Sequence, residues 1–256
     1  MTINRRLAEL AIGMIPILFL LGLWEYLTYT KIAPHTLLPA PGLVFSRIFE
    51  LLGDSNFLGH AATTMYRLLC GFGLAVIVGV GLGIAGAGSP LVGSLLRPVI
   101  RVLAPVPKIA LYPAFMLTLG FDHASKIALV FADAVFPILL ATLQGALAVE
   151  PKLVWSARAM GVSKLKTLFT VVLTAALPSI LTGCRIGLVI SCIVVFLSEM
   201  ISSTDGLGHL LVRAARNFQT VDMFVPIIGI SALGLLLNLG FNKLRARLLR
   251  GFPEES

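Results

Sequence analysis

Of the 256 residues, 57% are hydrophobic and 12% charged, and the mean hydropathy is +0.96. Soluble chains average roughly 45–50% apolar and about 25% charged residues, so this composition excludes an ordinary soluble domain and indicates a polytopic membrane protein. A helical span needs about 20 apolar residues, which leaves room for about five to seven spans joined by short loops. The net charge of +8 is then a Lys and Arg excess of cytoplasmic loops rather than a nucleic-acid footprint.

Six apolar segments are predicted as spans, at about 8–28, 61–87, 99–119, 125–148, 179–200 and 224–241. The first follows Arg5 and Arg6 and superficially resembles a signal peptide. No small-x-small cleavage site follows it, and Trp24, Tyr26 and Tyr29 read as an interfacial aromatic belt, so it is kept as a span with Glu25 as an interfacial anchor. After it, the turn cluster Leu38 to Gly42 leads into an amphipathic stretch, Leu43 to Leu52, expected to lie as an interfacial helix on the outer surface.

The second segment carries Gly79 and Gly83 as a small-xxx-small pair, which predicts close helix packing. Its Gly81, Gly83 and Gly86 also fit a dinucleotide fingerprint, but that motif needs a strand before it and is discounted inside an apolar helix. The third segment contains Pro105, Pro107, Pro113 and Lys108. Two readings stand side by side: a broken backbone buried in protein or lining a cavity, or an interfacial Pro105 to Lys108 with the lysine snorkelling outward.

Asp133 lies in the fourth segment and Glu199 closes the fifth. Intramembrane acids cost about 2.5–3.5 kcal/mol to insert, so both are pathway candidates, with pairing to another helix or plain hydration as the alternatives. Beyond the fifth segment, Asp205 and Gly206 form a turn, and a short helix is expected to about Asn217, with His209 on its surface and no companion at metal-ligand spacing. Cys70, Cys184 and Cys192 are read as packing residues.

Counting Lys and Arg by loop gives 12 on one side (residues 5, 6, 97, 101, 152, 158, 164, 166, 243, 245, 247 and 250) and 5 on the other (31, 47, 126, 213 and 216). Arg67, Lys108 and Arg185 fall in spans or at their ends. The asymmetry places both termini in the cytoplasm, together with the one long polar interval, residues 149–178.

That interval is an elbow. Glu150 and Pro151 suit the first turn of a short helix, Gly161 stops it, Ser163 caps a second helix from Lys164 to Leu173, and Pro178 marks the start of the next span. No Walker-type phosphate loop, HExxH, GxSxG or carboxylate cluster occurs, which argues against an enzyme and against ATP binding by this chain. Few intramembrane acids likewise weaken a proton-coupled carrier.

The elbow resembles that of the permease subunits of binding-protein-dependent ABC importers, whose cytoplasmic loop reads E-A-A-x-x-x-G. Aligned on Gly161, Ala157 matches the second alanine, while Trp155 replaces the glutamate and Thr174 the proline of a later L-P pair. Pro178 matches a second proline common in the nitrate, sulfonate, taurine and bicarbonate branch. Further stretches, in order, are similar to that branch: LLPAPGLVF, RPVIRVLAPVPKIALYPAFMLTLGF, ARAMGVSKLKTLFTVVLTAALPSILTGCRIGL and SEMISSTDGLGHLL.

The resemblance implies an all-α permease of the type I ABC importer kind, one transmembrane domain over 1–256 in a bacterial inner membrane. A coupling helix would dock on a separate ATPase through Glu150, Pro151, Val154, Trp155, Ala157, Arg158, Met160, Gly161 and Ser163, with Ala157 and Gly161 making the closest contact and Trp155 an apolar anchor. It implies no cofactor on this chain and ATP with Mg on two partner ATPases. A second permease copy, an extracytoplasmic solute-binding protein and membrane lipid complete the expected partners, with no nucleic acid. Pro107, Pro113, Asp133 and Glu199 are the pathway candidates. The cargo expected is a small organic or inorganic anion such as a sulfonate, taurine or nitrate. Open alternatives are a pyrimidine- or riboflavin-type vitamin precursor, or a self-sufficient carrier or channel.

Overall fold

The computed structural model describes residues 2–30, 32, 34 and 37–252, with side chains from residue 12 onward. Lys31 and the side chains of Arg5 and Arg6, part of the loop-charge count, lie outside the described residues. Twelve α-helices, one 3-10 turn and one π turn make up the described chain, which contains no strand. In order they are α1 (Thr2–Tyr29), α2 (Pro41–Leu52), α3 (Ser55–Gly88), α4 (Pro90–Leu103), a 3-10 turn (Lys108–Leu111), α5 (Tyr112–Leu119) and α6 (His123–Leu147). There follow α7 (Pro151–Ala159), α8 (Lys164–Thr167), a π turn (Leu168–Val172), α9 (Leu173–Ala175), α10 (Leu177–Ile201), α11 (Leu207–Arg216) and α12 (Thr220–Leu248).

Five helices are long and apolar enough to cross a membrane: α1, α3, α6, α10 and α12. The third expected span is not one continuous helix over 99–119. It starts at Pro90, breaks after Leu103 and resumes at Lys108 with an 85° bend. The cause is local: Pro105 and Pro107 lack N–H donors, so two rungs of the α-helical ladder are missing within three residues.

The core is built around α6. Helix α3 runs alongside it in the same direction, and a Cβ at Gly79 would lie 2.9 Å from Ile138, one at Gly83 2.6 Å from Thr142. Any larger residue would force the two backbones apart, so the glycines set the helix separation. On its other side α6 takes α10 just as closely, since a Cβ at Gly183 would meet Ala141 at 2.6 Å. Ala134, Val135, Ile138, Ile180 and Cys184 fill this seam. Outside the seam lies α1, with 6% of its apolar window buried against 50% for α10.

Helices α3 and α6 run from one end of the bundle to the other, and α10 returns. One end carries the polar elbow α7 to α9. The opposite end carries α2, α11 and the loop 202–206. There Trp24 of α1 donates from Nε1 to the Pro39 carbonyl at 2.9 Å and stacks on Phe224 of α12 at 5.4 Å. The amphipathic α2 is tied to α12 by Arg47, which donates to Asp222 at 2.7 Å and to Glu50 at 2.8 Å. Asp222 first, then Glu50, raises the Arg47 pKa above its ordinary value.

Candidate functional site

Two constellations stand out, one at each end. At the elbow end, Glu150 is the N-cap residue of α7 and Pro151 its first turn, where the absent N–H is no loss. The helix stops as its sequence dictates. Gly161, at φ +78, donates its N–H to the Arg158 carbonyl at 3.0 Å, and Val162 donates to the Ala157 carbonyl at 3.1 Å. These two bonds are a Schellman motif, which needs a left-handed residue that only glycine supplies without strain. Ser163 then caps α8, accepting from the Lys166 N–H at 3.4 Å. The second elbow helix passes through a π turn at Leu168–Val172 before α10 begins, rather than running evenly to Leu173.

The nine elbow residues do not share one face. Trp155 is 67% exposed, and Pro151, Arg158, Met160 and Gly161 are exposed with it. Ala157 is 5% exposed, and Val154, one turn earlier, packs against the core. Positions i and i+3 of this short helix thus point inward, and the small Ala157 side chain lets α7 lie on its own α8 and π turn. Between the elbow and the ends of α3 and α6 lies an apolar cavity of about 700 Å3, with Trp155, Arg158 and Lys164 on its wall.

At the opposite end a charge cluster is buried. The Arg67 guanidinium of α3 donates to Glu199 Oε1 of α10 at 2.8 Å, to the carboxylate of Asp205, and through Nε to His123 Nδ1 at 3.0 Å. Thr64 donates to the Glu199 carboxylate at 2.9 Å and accepts from the Leu207 N–H at 2.9 Å. Gly208 donates its N–H to Glu199 Oε2 at 3.1 Å, and Gly206 its N–H to His60 Nδ1 at 2.9 Å. The carboxylate thus sits on the N-terminal turn of α11, where the helix dipole favours a negative charge. Gly206 has φ +95, and a Cβ there would lie 2.2 Å from Glu199 Cδ, so the turn admits glycine alone.

Glu199, 1% exposed, is thereby committed to holding α3, α10 and α11 together. Of the expected roles, the geometry shows pairing to another helix: a carboxylate buried this deeply is stable only when its lone pairs are taken up. Burial pushes the Asp205 carboxyl up, but the hydrogen bond and charge of Arg67, with Ser203, outweigh it and leave the group below its ordinary value. His209 is not a solitary surface residue; its ring stacks on His60 at 6.1 Å. Lys126, counted among loop charges, is fully buried in the first turn of α6 and donates to the Phe121 carbonyl at 2.7 Å.

Between the two ends, at the break after α4, Lys108 turns inward. Its Nζ donates to the Ala104 carbonyl at 2.8 Å, stands 3.8 Å from Asp133 and lies 4.5 Å over the Phe136 ring. The snorkelling alternative is excluded by this burial. Pro107 and Pro113 flank the break on the exposed side, and Asp133 is half-buried behind it. Among the described residues no group of His, Cys, Asp or Glu is arranged to hold a metal ion.

The described chain is thus an all-helical membrane bundle with a broken third span and an exposed elbow. Residues 77–252 match the family described as binding-protein-dependent transport system inner membrane component, and the chain belongs to that family. It is 32% identical to the taurine transport system permease protein TauC of Escherichia coli K12, over 95% of this chain and 90% of that one. It is 31% identical to the putative aliphatic sulfonates transport permease protein SsuC of Bacillus subtilis 168, over 90% and 84%. In fold it is similar to the MetNI methionine ABC transporter in an inward-facing conformation, with a TM-score of 0.68 at 14% identity, covering 76% of this chain and 97% of that one. The protein is thus an ABC importer permease of the type I fold, a multi-pass inner-membrane component whose family works with ATPase and binding-protein partners.

Proposed function

We propose that this chain forms half of the translocation pathway of an importer for a small sulfonate-type anion, taurine or an alkanesulfonate. The observation that carries the reading is likeness along 95% of the chain to a permease named for taurine transport. Two copies would face each other, each engaging one ATPase that holds ATP and Mg, with no cofactor on the permease itself. The whole chain serves as one permease unit, with 149–178 as the coupling loop and both termini in the cytoplasm, which the loop charges favour.

The mechanism follows from where the chain is stiff. Trp155, Met160 and the exposed Arg158 present an apolar and basic face to the ATPase, while Ala157 and Val154 fasten the same helix to the bundle. A push on α7 passes through the α8 to α9 segment into α10, which is packed against α6 at glycine distance. Closure of the ATPases then tilts α10 and α6 about the buried cluster, and access switches sides. Pro107, Pro113 and Asp133 lie where α4 and α5 part, and we place the pathway wall there.

The test is ATP-driven uptake of labelled taurine and ethanesulfonate by proteoliposomes holding the permease with its ATPase and binding protein. Sulfonate uptake that needs ATP and is abolished by Gly161→Asp, with membrane insertion intact, is the expected result. Uptake by the permease alone on an ion gradient would overturn the reading in favour of a carrier.

A further inference from the structure

Beside the buried cluster, at the end of the bundle opposite the elbow, a second cavity of about 520 Å3 lies between the end of α10 and the outer side of α11. Its polar wall is made by Ser202, Ser203 and Thr204 from the loop and His209, Arg213 and Arg216 from the helix. Arg213 and Arg216 are exposed, and among the described residues neither forms an ion pair. The contrast with Arg67, which spends its guanidinium on Glu199 and Asp205, is chemical: the arginines on α11 keep their donors available. The acid that borders the cavity, Glu199, has its carboxylate occupied by Arg67, Thr64 and the Gly208 amide. The Ser203 hydroxyl is bonded to Asp205, so the wall offers two guanidinium forks and the hydroxyl groups of Ser202 and Thr204 to whatever enters, with the local carboxylate occupied.

Position reinforces the chemistry. Helix α11 is stopped by a second Schellman turn, in which Phe218 donates to the Ala215 carbonyl at 3.1 Å and Gln219 to the Ala214 carbonyl at 3.0 Å. Here the left-handed residue is Phe218 at φ +55, a conformation that a bulky side chain adopts only at a cost. The strained stop ends α11 directly after Arg216 and fixes the last helical turn over the cavity. Below the cavity, Ile201, Leu197, Ile193 and Val189 form an exposed apolar stripe down α10. A charged group held by the arginines would have its organic tail along that stripe.

We propose that this cavity is an oxyanion site, in which Arg213 and Arg216 hold a sulfonate or another tetrahedral oxyanion at the head of α10. Two planar forks match the oxygens of such a group better than a point charge would. As a receiving site for cargo it rests on the sulfonate-import reading and its orientation. The same chemistry is carried by a lipid phosphate, so the test has to separate a free anion from a headgroup.

The full permease is placed in phosphatidylcholine nanodiscs and titrated with trifluoromethanesulfonate, followed by fluorine NMR. Saturable broadening is expected for the wild type and for Arg47→Gln, which lies outside the cavity. The Arg213→Gln/Arg216→Gln variant should bind roughly tenfold more weakly or worse, and Arg213→Lys should be intermediate. Equal binding by the double variant overturns the site. Repeating the titration with phosphatidylglycerol discs separates the sources: unchanged affinity supports a free anion, and displacement through the two arginines assigns the site to a lipid headgroup and overturns its role toward cargo. Uptake in the reconstituted importer keeps the two proposals apart. Normal sulfonate uptake by the double variant removes the site and leaves the import reading, whereas triflate binding without sulfonate uptake by any variant does the reverse.

Discussion

The two ends of the bundle are held by different physics. At the cluster end, Arg67, Thr64, Glu199, Asp205, His60 and His123 bind α3, α6, α10 and α11 through directional bonds around the buried Arg67 and Glu199. At the elbow end the fastening is two backbone caps, a buried alanine and a partly buried valine beside a cavity of about 700 Å3. A charge network in low dielectric is nearly all-or-none, because a lost partner leaves an unpaired charge. Apolar contact beside an open volume yields gradually. A lever needs both, a fulcrum that does not give and a handle that does.

The largest effect that separates the two ends is expected from Arg67→Met. It strands Glu199 and should cost about 3–5 kcal/mol, seen as a large drop in Tm of the detergent-solubilised protein. Adding Glu199→Gln should recover much of that loss; independent, additive losses would show that the two residues are not one unit. Next is the seam that joins the ends. Gly83→Val brings a branched side chain onto Thr142, with an expected overpacking cost of about 1–3 kcal/mol and a lower Tm.

Smaller again is Gly161→Ala. Nothing lies within 4 Å of its missing Cβ, so only the left-handed backbone is penalised, by about 1–2 kcal/mol and locally. ATPase-coupled uptake should fall more than Tm does. Trp155→Ala should change stability by no more than about 0.5 kcal/mol, leaving Tm nearly unmoved, while weakening assembly with the ATPase, measured by co-purification or surface binding. Unchanged assembly would remove Trp155 as an anchor. The smallest effect is on pH. Asp205 is held below its ordinary value in the fold, so its contribution is complete above the unfolded carboxylate pKa of about 3.9 and is lost as pH falls through the folded one. Asp205→Asn should flatten that acid limb in a plot of Tm against pH.

Local rules were enough for much of the architecture. Apolar run lengths marked the spans, and Glu150, Pro151, Gly161 and Ser163 carried the elbow in consecutive residues, because caps and stops depend on neighbours in the chain. The Gly79 and Gly83 spacing announced a close helix contact but not its partner, Ile138 and Thr142 of α6. The inward face of Ala157 was legible in principle, since Val154 lies one turn earlier, but nine residues of mixed polarity give too little periodicity to assign a face.

By itself, then, the sequence determined a helical membrane protein, its loop charges and the form of its elbow, all of which follow from composition and short-range chemistry; the permease role came from its resemblance to a family. Tertiary structure alone decided how the charged residues are used. Arg67 and Glu199 stand 132 positions apart, and no periodicity joins them. Their pairing, the inward turn of Lys108 at the proline break and the absence, among the described residues, of an ion pair at Arg213 and Arg216 depend on which helices pack together. A buried charge takes whatever partner that packing brings within reach, and the arginines left outside it are the ones available to a ligand.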